Sequence, residues 1–159
     1  MRREIYRGVL ALMLAAGVPM LALSETAYTP PEIAQGEDGW ESYVGPLMLT
    51  PENVAGLTPA PDSPEAAVVL YLASRIRGDS AWEGAMVDDP GRKAKKSLKK
   101  WRSWTLHAAQ LQSRKMRGEN RGYLRVWIDI SVDGDRDSGS DDFEVKRVGD
   151  GWRVSEVPS

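Results

Sequence analysis

Residues 123–132 read YLRVWIDISV, and this alternating stretch decides the fold class. Its aliphatic side chains occupy every second position, so an extended strand presents them all on one face. That face consists of Leu124, Val126, Ile128, Ile130 and Val132. The opposite face consists of Tyr123, Arg125, Trp127, Asp129 and Ser131. The pattern predicts a strand of an antiparallel sheet that has one face covered by the rest of the protein.

Further strands are predicted on both sides of this one. Residues 104–116 form a long strand in this interpretation, although their alternation is weak, and residues 118–122 supply the turn after it. After an acidic loop, residues 143–148 and 152–157 form two more strands around the tight turn Gly149-Asp150-Gly151. The C-terminal half is therefore expected to be an antiparallel meander.

Helices are predicted before the strands. Ser63 is an N-cap, Pro64 takes the first helical position, and Gly78 ends the helix after apolar residues at helical spacing. Ser80 and Glu83 have the spacing of a capping box that opens a second, short helix. Helices followed by a meander predict an α+β fold in which N-terminal helices pack on a curved antiparallel sheet.

Three segments carry a resemblance to a known superfamily. They are SPEAAVVLYLASRIRGD at 63–79, SAW at 80–82 and VKRVGDGWRVSEV at 145–157. Over residues 63–157 the chain resembles the nuclear-transport-factor-2-like superfamily, also called SnoaL-like or cystatin-like α+β. The resemblance implies a cone-shaped sheet with a pocket inside it. That pocket serves either as a binding module or, with acids, Tyr or His inside, as an enzyme site.

The N-terminal segment has the features of an export signal. Arg2, Arg3 and Arg7 precede the uncharged stretch 8–23, and the small-x-small rule places cleavage between Ser24 and Glu25. We therefore expect residues 1–24 to be a signal peptide and the protein to be periplasmic or secreted. An uncleaved anchor is the alternative, and the general secretory route is favoured over the twin-arginine route.

Residues 25–62 differ in composition from the C-terminal part of the chain. They contain six of the ten prolines, seven acids and no base, together with apolar residues such as Trp40 and Tyr43. We interpret them as a Pro-rich acidic arm that is partly docked on an α+β domain at 63–159. A short helix is expected from Thr50 to near Gly56.

Composition excludes several chemistries. The 159 residues include no Cys and one His, which removes disulfides, iron–sulfur clusters, thiolate sites and multi-histidine metal sites. The net charge of −2 is an average over opposed blocks, because residues 92–125 hold twelve bases and residues 25–65 hold eight acids. We expect some of these charges to pair within the fold.

His107 is the one weak candidate for a catalytic residue. By alternation it shares one face of its strand with Thr105, Ala109 and Leu111, and the weak pattern leaves open whether that face is the inner one. The aliphatic face of 123–132 offers it neither an acid nor a base, and a Ser–His–Asp relay has no local signature. The sequence therefore favours a non-enzymatic domain without a cofactor over an enzyme.

The acidic loop matches the ligand spacing of a calcium loop. Acids stand at positions 1, 3, 5, 9 and 12, which are Asp133, Asp135, Asp137, Asp141 and Glu144. Ser138 replaces the glycine expected at position 6, and strands flank the loop where helices are expected. A solvated hairpin tip is the preferred interpretation and a weak calcium site is the alternative.

A basic segment connects the helices to the sheet. Its bases are Arg92, Lys93, Lys95, Lys96, Lys99, Lys100 and Arg102. On a helix, Ala94, Leu98 and Trp101 form a narrow apolar stripe among these bases. A connecting helix with solvated lysines is favoured, and an envelope surface or another anionic partner is the alternative. Nucleic acid is not expected as a partner of an exported protein.

The sequence leads to three hypotheses about function. The first is an exported binding or accessory domain for a small apolar ligand, an envelope component or a protein. The second is a SnoaL-like isomerase, dehydratase or hydrolase without a cofactor, and the third is an envelope-surface binder that uses residues 92–102. The face that carries Trp127 is expected to be covered either by a second copy in a homodimer or by the arm.

Overall fold

The computed structural model describes residues 28–159, which form an α+β fold of two α-helices and a seven-stranded antiparallel sheet. The helices are α1 (Pro64–Arg77) and α2 (Arg92–Ser103), with a 3₁₀ helix at Ala81–Ala85 between them. The strands are β1 (Glu32–Gln35), β2 (Glu41–Val44), β3 (Met48–Leu49), β4 (Thr105–Met116), β5 (Arg121–Val132), β6 (Asp135–Val148) and β7 (Gly151–Glu156). The predicted signal peptide and its cleavage position lie outside the described residues.

Helix α1 forms where the sequence predicts it and lies at the centre of the core. Ser63 Oγ accepts a hydrogen bond from the Ala66 amide at 3.1 Å, and Pro64 begins the helix. Gly78 ends it in the left-handed conformation at φ 79°, which glycine adopts without strain. Every residue from Pro64 to Ser74 is buried, because the helix contacts β3 to β7 and the 3₁₀ helix.

The predicted capping box at Ser80 and Glu83 is wrong. Ser80 makes no side-chain cap hydrogen bond within residues 28–159, and the helix it precedes is a single 3₁₀ segment. Asp79 Oδ1 instead accepts from the Ala81 amide at 3.0 Å, and Ser74 Oγ accepts from the Trp82 amide at 2.8 Å. Ser74 of α1 and Asp79, just after α1, therefore accept hydrogen bonds from free amides at the start of the next helix.

Strand β5 has the two faces predicted for it, and its hairpin partner is longer than expected. Leu124, Val126, Ile128 and Ile130 are buried beneath the helices, on what we call the inner face. The expected acidic loop is wrong, since β6 pairs with β5 without interruption from Asp135 to Lys146. A two-residue turn joins the strands, with φ 52° at Asp133 and 91° at Gly134. Positive φ angles at both central residues are typical of a two-residue hairpin turn. The residues of β6 are polar, which indicates a loop, but they are extended because they pair with β5.

Strand β4 contains two irregularities that shift its alternation. The first lies between Leu106 and Ala108 and places His107 out of phase. Leu106, Ala109 and Leu111 are buried on the inner face, whereas Thr105 is exposed. The face that the sequence left undecided is therefore the inner one for Ala109 and Leu111, and Thr105 and His107 do not share it. Assigning alternate residues of a strand to opposite faces cannot detect a residue added by a bulge.

The described part of the arm docks on the domain and contributes three strands. The sheet order is β1-β2-β4-β5-β6-β7, and β3 also pairs with β4. Apolar side chains of the arm enter the core, namely Tyr43, Leu49, Val54 and Leu57. The short helix expected from Thr50 to Gly56 is wrong; the chain makes only a turn there, with the Val54 amide 3.2 Å from the Thr50 carbonyl.

Helix α2 forms as predicted and packs against β7. Its inward stripe consists of buried Ala94, Ser97 and Trp101 and half-buried Leu98. The guanidinium of Arg75 ties the end of α2 to α1 by donating to the carbonyls of Trp101 and Trp104. No helix within residues 28–159 combines the length and apolar character needed to cross a membrane.

Candidate functional site

A break in the edge of the sheet creates the candidate site. Strand β2 pairs with β4 at Glu41 and Ser42, and β3 pairs with the same strand at Met48 and Leu49. Between them the chain leaves the ladder at Gly45–Leu47, where Gly45 has a φ of 60°. The edge of the sheet is therefore interrupted beside the middle of β4.

A cavity of about 130 Å³ lies at this break, and we call it the arm cavity. The arm supplies one wall and α1 and β4 supply the other. The apolar lining consists of Pro31, Pro46, Leu47, Leu49, Val69 and Leu111. Cavities of about 150 Å³ accept a molecule of the size of benzene, so this volume suits a small ligand.

Tyr28 and Thr29 are the polar side chains of the lining, and the hydroxyl of Tyr28 is buried. Tyr28 lines the cavity, and its hydroxyl oxygen is buried without a hydrogen-bond partner among residues 28–159. Burial and the nearby charge of Glu65 raise the pKa of Tyr28 above its usual range, so the hydroxyl keeps its proton. A buried hydroxyl without a partner costs about 1–3 kcal/mol, and a ligand that accepts a hydrogen bond from it would recover part of that cost.

A buried ionic network adjoins Tyr28. The side chain of Glu65 is 3% exposed, and its Oε1 accepts from Tyr43 Oη at 2.8 Å and from Arg114 Nη1 at 2.9 Å. Arg114 Nε also donates to Glu41 at 2.7 Å. Burial would lower the pKa of Arg114, but its bonds to the two carboxylates outweigh burial and raise it. The network ties the first turn of α1 to β2 and β4.

The charges of this network select among ligands. Glu41 and Glu65 face a single base, Arg114, so the group carries one negative charge in excess. A carboxylate or phosphate in the arm cavity would be repelled by that charge. Glu65 is not one of the cavity-lining residues, and its Oε1 is already bonded to Arg114 and Tyr43. The arrangement therefore suits binding of a neutral molecule better than proton abstraction.

His107 is not brought to the arm cavity. It lies at the bulge of β4, half-buried, and its Nε2 shares a hydrogen bond of 2.6 Å with Ser131 Oγ. The nearby Asp129 is bound by two donors of Arg136, at 2.8 and 2.6 Å. His107 is not one of the residues that line the arm cavity.

The five acids proposed for calcium lie along a strand instead of around a loop. Asp133 is in the turn, and the other four extend along β6 as far as Glu144. At about 3.4 Å per residue, Asp135 and Glu144 are about 30 Å apart along the strand. Glu144 accepts from Arg121 at 2.6 Å and from Ser155 at 2.8 Å. No group of three His, Cys, Asp or Glu residues within 28–159 is arranged to hold a metal ion.

The bases of residues 92–102 all lie on α2, and two of them have ionic partners. Lys93 pairs with Glu156 at 2.6 Å, and Lys95 pairs with Asp89 at 2.9 Å. The other five form no ion pair within the described part of the chain; they are Arg92, Lys96, Lys99, Lys100 and Arg102. Neither partner belongs to the acidic arm, so the described arm does not neutralise α2.

The arm covers part of the outer face of the sheet, the face that carries Trp127. The ring of Trp40 lies 4.2 Å from the guanidinium carbon of Arg125, and Lys115 approaches the same ring at 6.0 Å. Trp127 is half-buried on this face. The arm contact predicted from the sequence is thus present at Trp40, and a homodimer through this face stays a prediction.

Comparison of the chain with protein-family models, with curated proteins and with solved structures finds no match. The assignment of function therefore depends on the geometry of the arm cavity and on the charges around it.

Sequence reasoning missed the residues of this site for identifiable reasons. Glu65 stands four residues before Val69, and the two side chains share one face of the helix. That spacing was the available signal. Arg114 follows a second irregularity in β4, between Leu111 and Ser113, which turns it to the inner face. The alternation of residues in the sequence contains no signal that would place Arg114 on the inner face.

Proposed function

We propose that this protein is an exported, non-enzymatic binding domain that holds a small, uncharged and mainly apolar ligand in the arm cavity. The observation that carries the proposal is the Tyr28 hydroxyl, which belongs to a lining residue of a mainly apolar cavity and is buried without a hydrogen-bond partner among residues 28–159. A binding site of this kind combines an apolar wall for affinity with a single polar group for orientation. An envelope component or a protein partner would be too large for 130 Å³ unless only a small group of it entered.

The ligand is expected to accept a hydrogen bond and to carry no negative charge. The Tyr28 hydroxyl keeps its proton and can donate a hydrogen bond, and the excess negative charge at Glu41 and Glu65 disfavours an anion. A small ketone, ether or alcohol meets both conditions.

The order of elements also supports a nuclear-transport-factor-2-like fold as part of this proposal. In that superfamily the pocket lies between the helices and the inner face of the sheet. The arm cavity has Val69 of α1 on one side and Leu111 of β4 beside it, which is the same kind of placement. The cone shape of the sheet stays a proposal.

A pair of matched probes tests the binding site. Cyclohexanone and methylenecyclohexane have nearly the same shape, and only the ketone accepts a hydrogen bond. Titration calorimetry would measure both affinities for the wild type and for Tyr28→Phe. We expect the ratio of ketone to hydrocarbon affinity to fall about fivefold in the variant, as for the loss of one hydrogen bond worth about 1 kcal/mol.

The control is Tyr123→Phe, which removes a hydroxyl on the outer face, 3.4 Å from Arg121 and outside the arm cavity. The affinity ratio should equal that of the wild type in this variant. A ratio that does not change in Tyr28→Phe, or no binding of either probe, would contradict the proposal.

An enzyme of the SnoaL type is the second candidate, and the buried carboxylate of Glu65 is the observation that favours it. A general base near a bound ketone would exchange the α-protons of cyclohexanone with solvent deuterium. For a binding domain we expect exchange at the buffer rate. Exchange that the protein accelerates, and that Glu65→Gln removes, would replace the binding proposal with the enzyme.

Export is tested by the mass of the protein recovered from cells. Cleavage between Ser24 and Glu25 predicts a chain that begins at Glu25 and is found outside the cytoplasm. A cytoplasmic protein that retains residues 1–24 would contradict export and would leave the binding site unaffected.

A further inference from the structure

The outer surface of α2 carries a concentration of positive charge that the fold does not use. The apolar stripe of the helix is buried against the domain, with Trp101 only 1% exposed. Trp101 Nε1 donates to the Pro158 carbonyl at 2.8 Å, which fixes this side of the helix inward. Five bases on the exposed side have no ionic partner among residues 28–159, since the ion pairs of this helix involve only Lys93 and Lys95.

The arrangement of these bases on the helix determines what they can contact. At about 100° per residue, Arg92, Lys96 and Lys99 form a row directly opposite the buried stripe. Lys100 and Arg102 flank that row on its two sides, and all five are exposed. The long side chains of the row and of both flanks can contact one flat surface at the same time. A single polymer strand would contact mainly the central row.

The acidic hairpin of the arm lies far from this surface. Helix α2 packs on β7 at one edge of the sheet, and the acidic hairpin of β1 and β2 forms the other edge. The acids beside Lys93 lie on one flank of the helix, where Glu156 already pairs with that lysine. A flat anionic surface can therefore approach Arg92, Lys96 and Lys99 without contacting the arm.

We propose that the exposed face of α2 binds the surface of a bilayer that contains anionic phospholipids. Contact is electrostatic and does not insert the helix, because its apolar side chains are occupied in the core. Each Lys or Arg near an anionic bilayer strengthens binding about fivefold. The proposal is independent of the ligand in the arm cavity.

Vesicle sedimentation tests this surface. The probes are vesicles of phosphatidylglycerol and phosphatidylcholine at 30:70, and vesicles of phosphatidylcholine alone. The test variant is Lys96→Gln/Lys99→Gln/Lys100→Gln. The control variant, Arg117→Gln/Lys146→Gln/Arg147→Gln, removes the same charge from exposed positions on the β-sheet side. Thermal unfolding of each variant confirms that the fold is intact.

We expect the wild type to bind only the anionic vesicles and to be released by 0.5 M NaCl. The test variant should bind about 100-fold more weakly, since three bases are removed, and the control variant should bind like the wild type. Equal weakening in both variants would show an effect of net charge alone and would overturn the proposal. Binding to soluble polyphosphate without binding to vesicles would also overturn it, in favour of a linear polyanion.

Discussion

The two sides of α1 are packed in different ways. On one side Tyr71 contacts Trp82, Trp101 and Phe143 edge to face, with ring centroids 5.9–6.0 Å apart. On the other side Val69 faces the arm cavity. We call the first the aromatic side and the second the arm side. The aromatic side fills its space with its own rings, as a core built for stability does.

The arm side contains features that stability alone does not explain. A cavity costs packing contacts, and the Tyr28 hydroxyl, buried without a partner among residues 28–159, costs about 1–3 kcal/mol more. Phenylalanine in place of Tyr28 would avoid the cost of the buried hydroxyl. This difference is what the proposed function expects, with the aromatic side maintaining the fold and the arm side open to a ligand.

Truncation of the aromatic side should have the largest effect. Trp101→Ala removes a fully buried indole and its hydrogen bond to Pro158, so we expect a loss of about 4 kcal/mol in the free energy of unfolding. Urea unfolding followed by circular dichroism measures it. Trp40→Ala, at a half-buried indole of the arm, should cost about 1 kcal/mol. Equal losses in the two variants would contradict the distinction.

The ionic network of the arm side should come next. Arg114→Met leaves Glu65 buried without its charge partner, and the expected loss is about 3 kcal/mol. The double variant Arg114→Met/Glu65→Gln removes both charges and should recover more than half of that loss. If the double variant is no more stable than Arg114→Met, the charge of Glu65 is not what destabilises the single variant.

The elements of the core could be predicted from local sequence. The caps of α1 at Ser63 and Gly78 and the alternation of β5 depend on neighbouring residues, and both predictions are confirmed. The basic segment also forms the helix that its Ala94 and Trp101 spacing indicates. These patterns fix which elements form and which of their faces are buried.

The arm side could not be predicted, because it depends on contacts between distant residues. Tyr28, Glu65 and Arg114 come from three segments far apart in the chain, and the bulges of β4 set the direction of Arg114. The acid-rich strand β6 was missed for a related reason. Its residues from Asp135 to Ser140 are polar and exposed, and they are extended because β5 pairs with them.

Removal of the Tyr28 hydroxyl should stabilise the free protein. Tyr28→Phe keeps the ring in place and removes a buried donor that has no acceptor in the described part of the chain, so we expect a gain of about 1 kcal/mol. Urea unfolding without added ligand measures the gain, and Tyr123→Phe should show no change. A loss of stability in Tyr28→Phe would mean that the hydroxyl has a stabilising role in the free protein.

The smallest effect concerns Asp79, which links α1 to the 3₁₀ helix on the aromatic side. Burial would raise the pKa of Asp79, but hydrogen bonds from Arg77, Ser74 and the Ala81 amide outweigh it and lower the pKa to about 2. A depressed pKa in the folded state stabilises the protein above the unfolded pKa, and this contribution is lost as the pH falls towards 2.

Asp79→Asn keeps an oxygen for the Ala81 amide and removes the charge that pairs with Arg77, so it should cost about 0.5 kcal/mol at pH 6. The difference from the wild type should shrink as the pH is lowered from 4 to 2 in urea unfolding experiments. A difference that stays constant over this range would show that the ionised carboxylate is not responsible.

The occupant of the arm cavity is tested most directly by a methyl NMR titration with cyclohexanone. Val69 and Leu111 report on the arm cavity, and Val126 and Val145 are fully buried elsewhere in the core. A second hollow of about 160 Å³ at Ile128 and Ile130 provides an internal comparison. We predict shifts and intermolecular NOEs at Val69 and Leu111 that saturate with ligand and are weakened in Tyr28→Phe. Saturable shifts at Ile128 and Ile130 instead, or no saturable shift at Val69 and Leu111, would contradict the assignment of the arm cavity as the binding site.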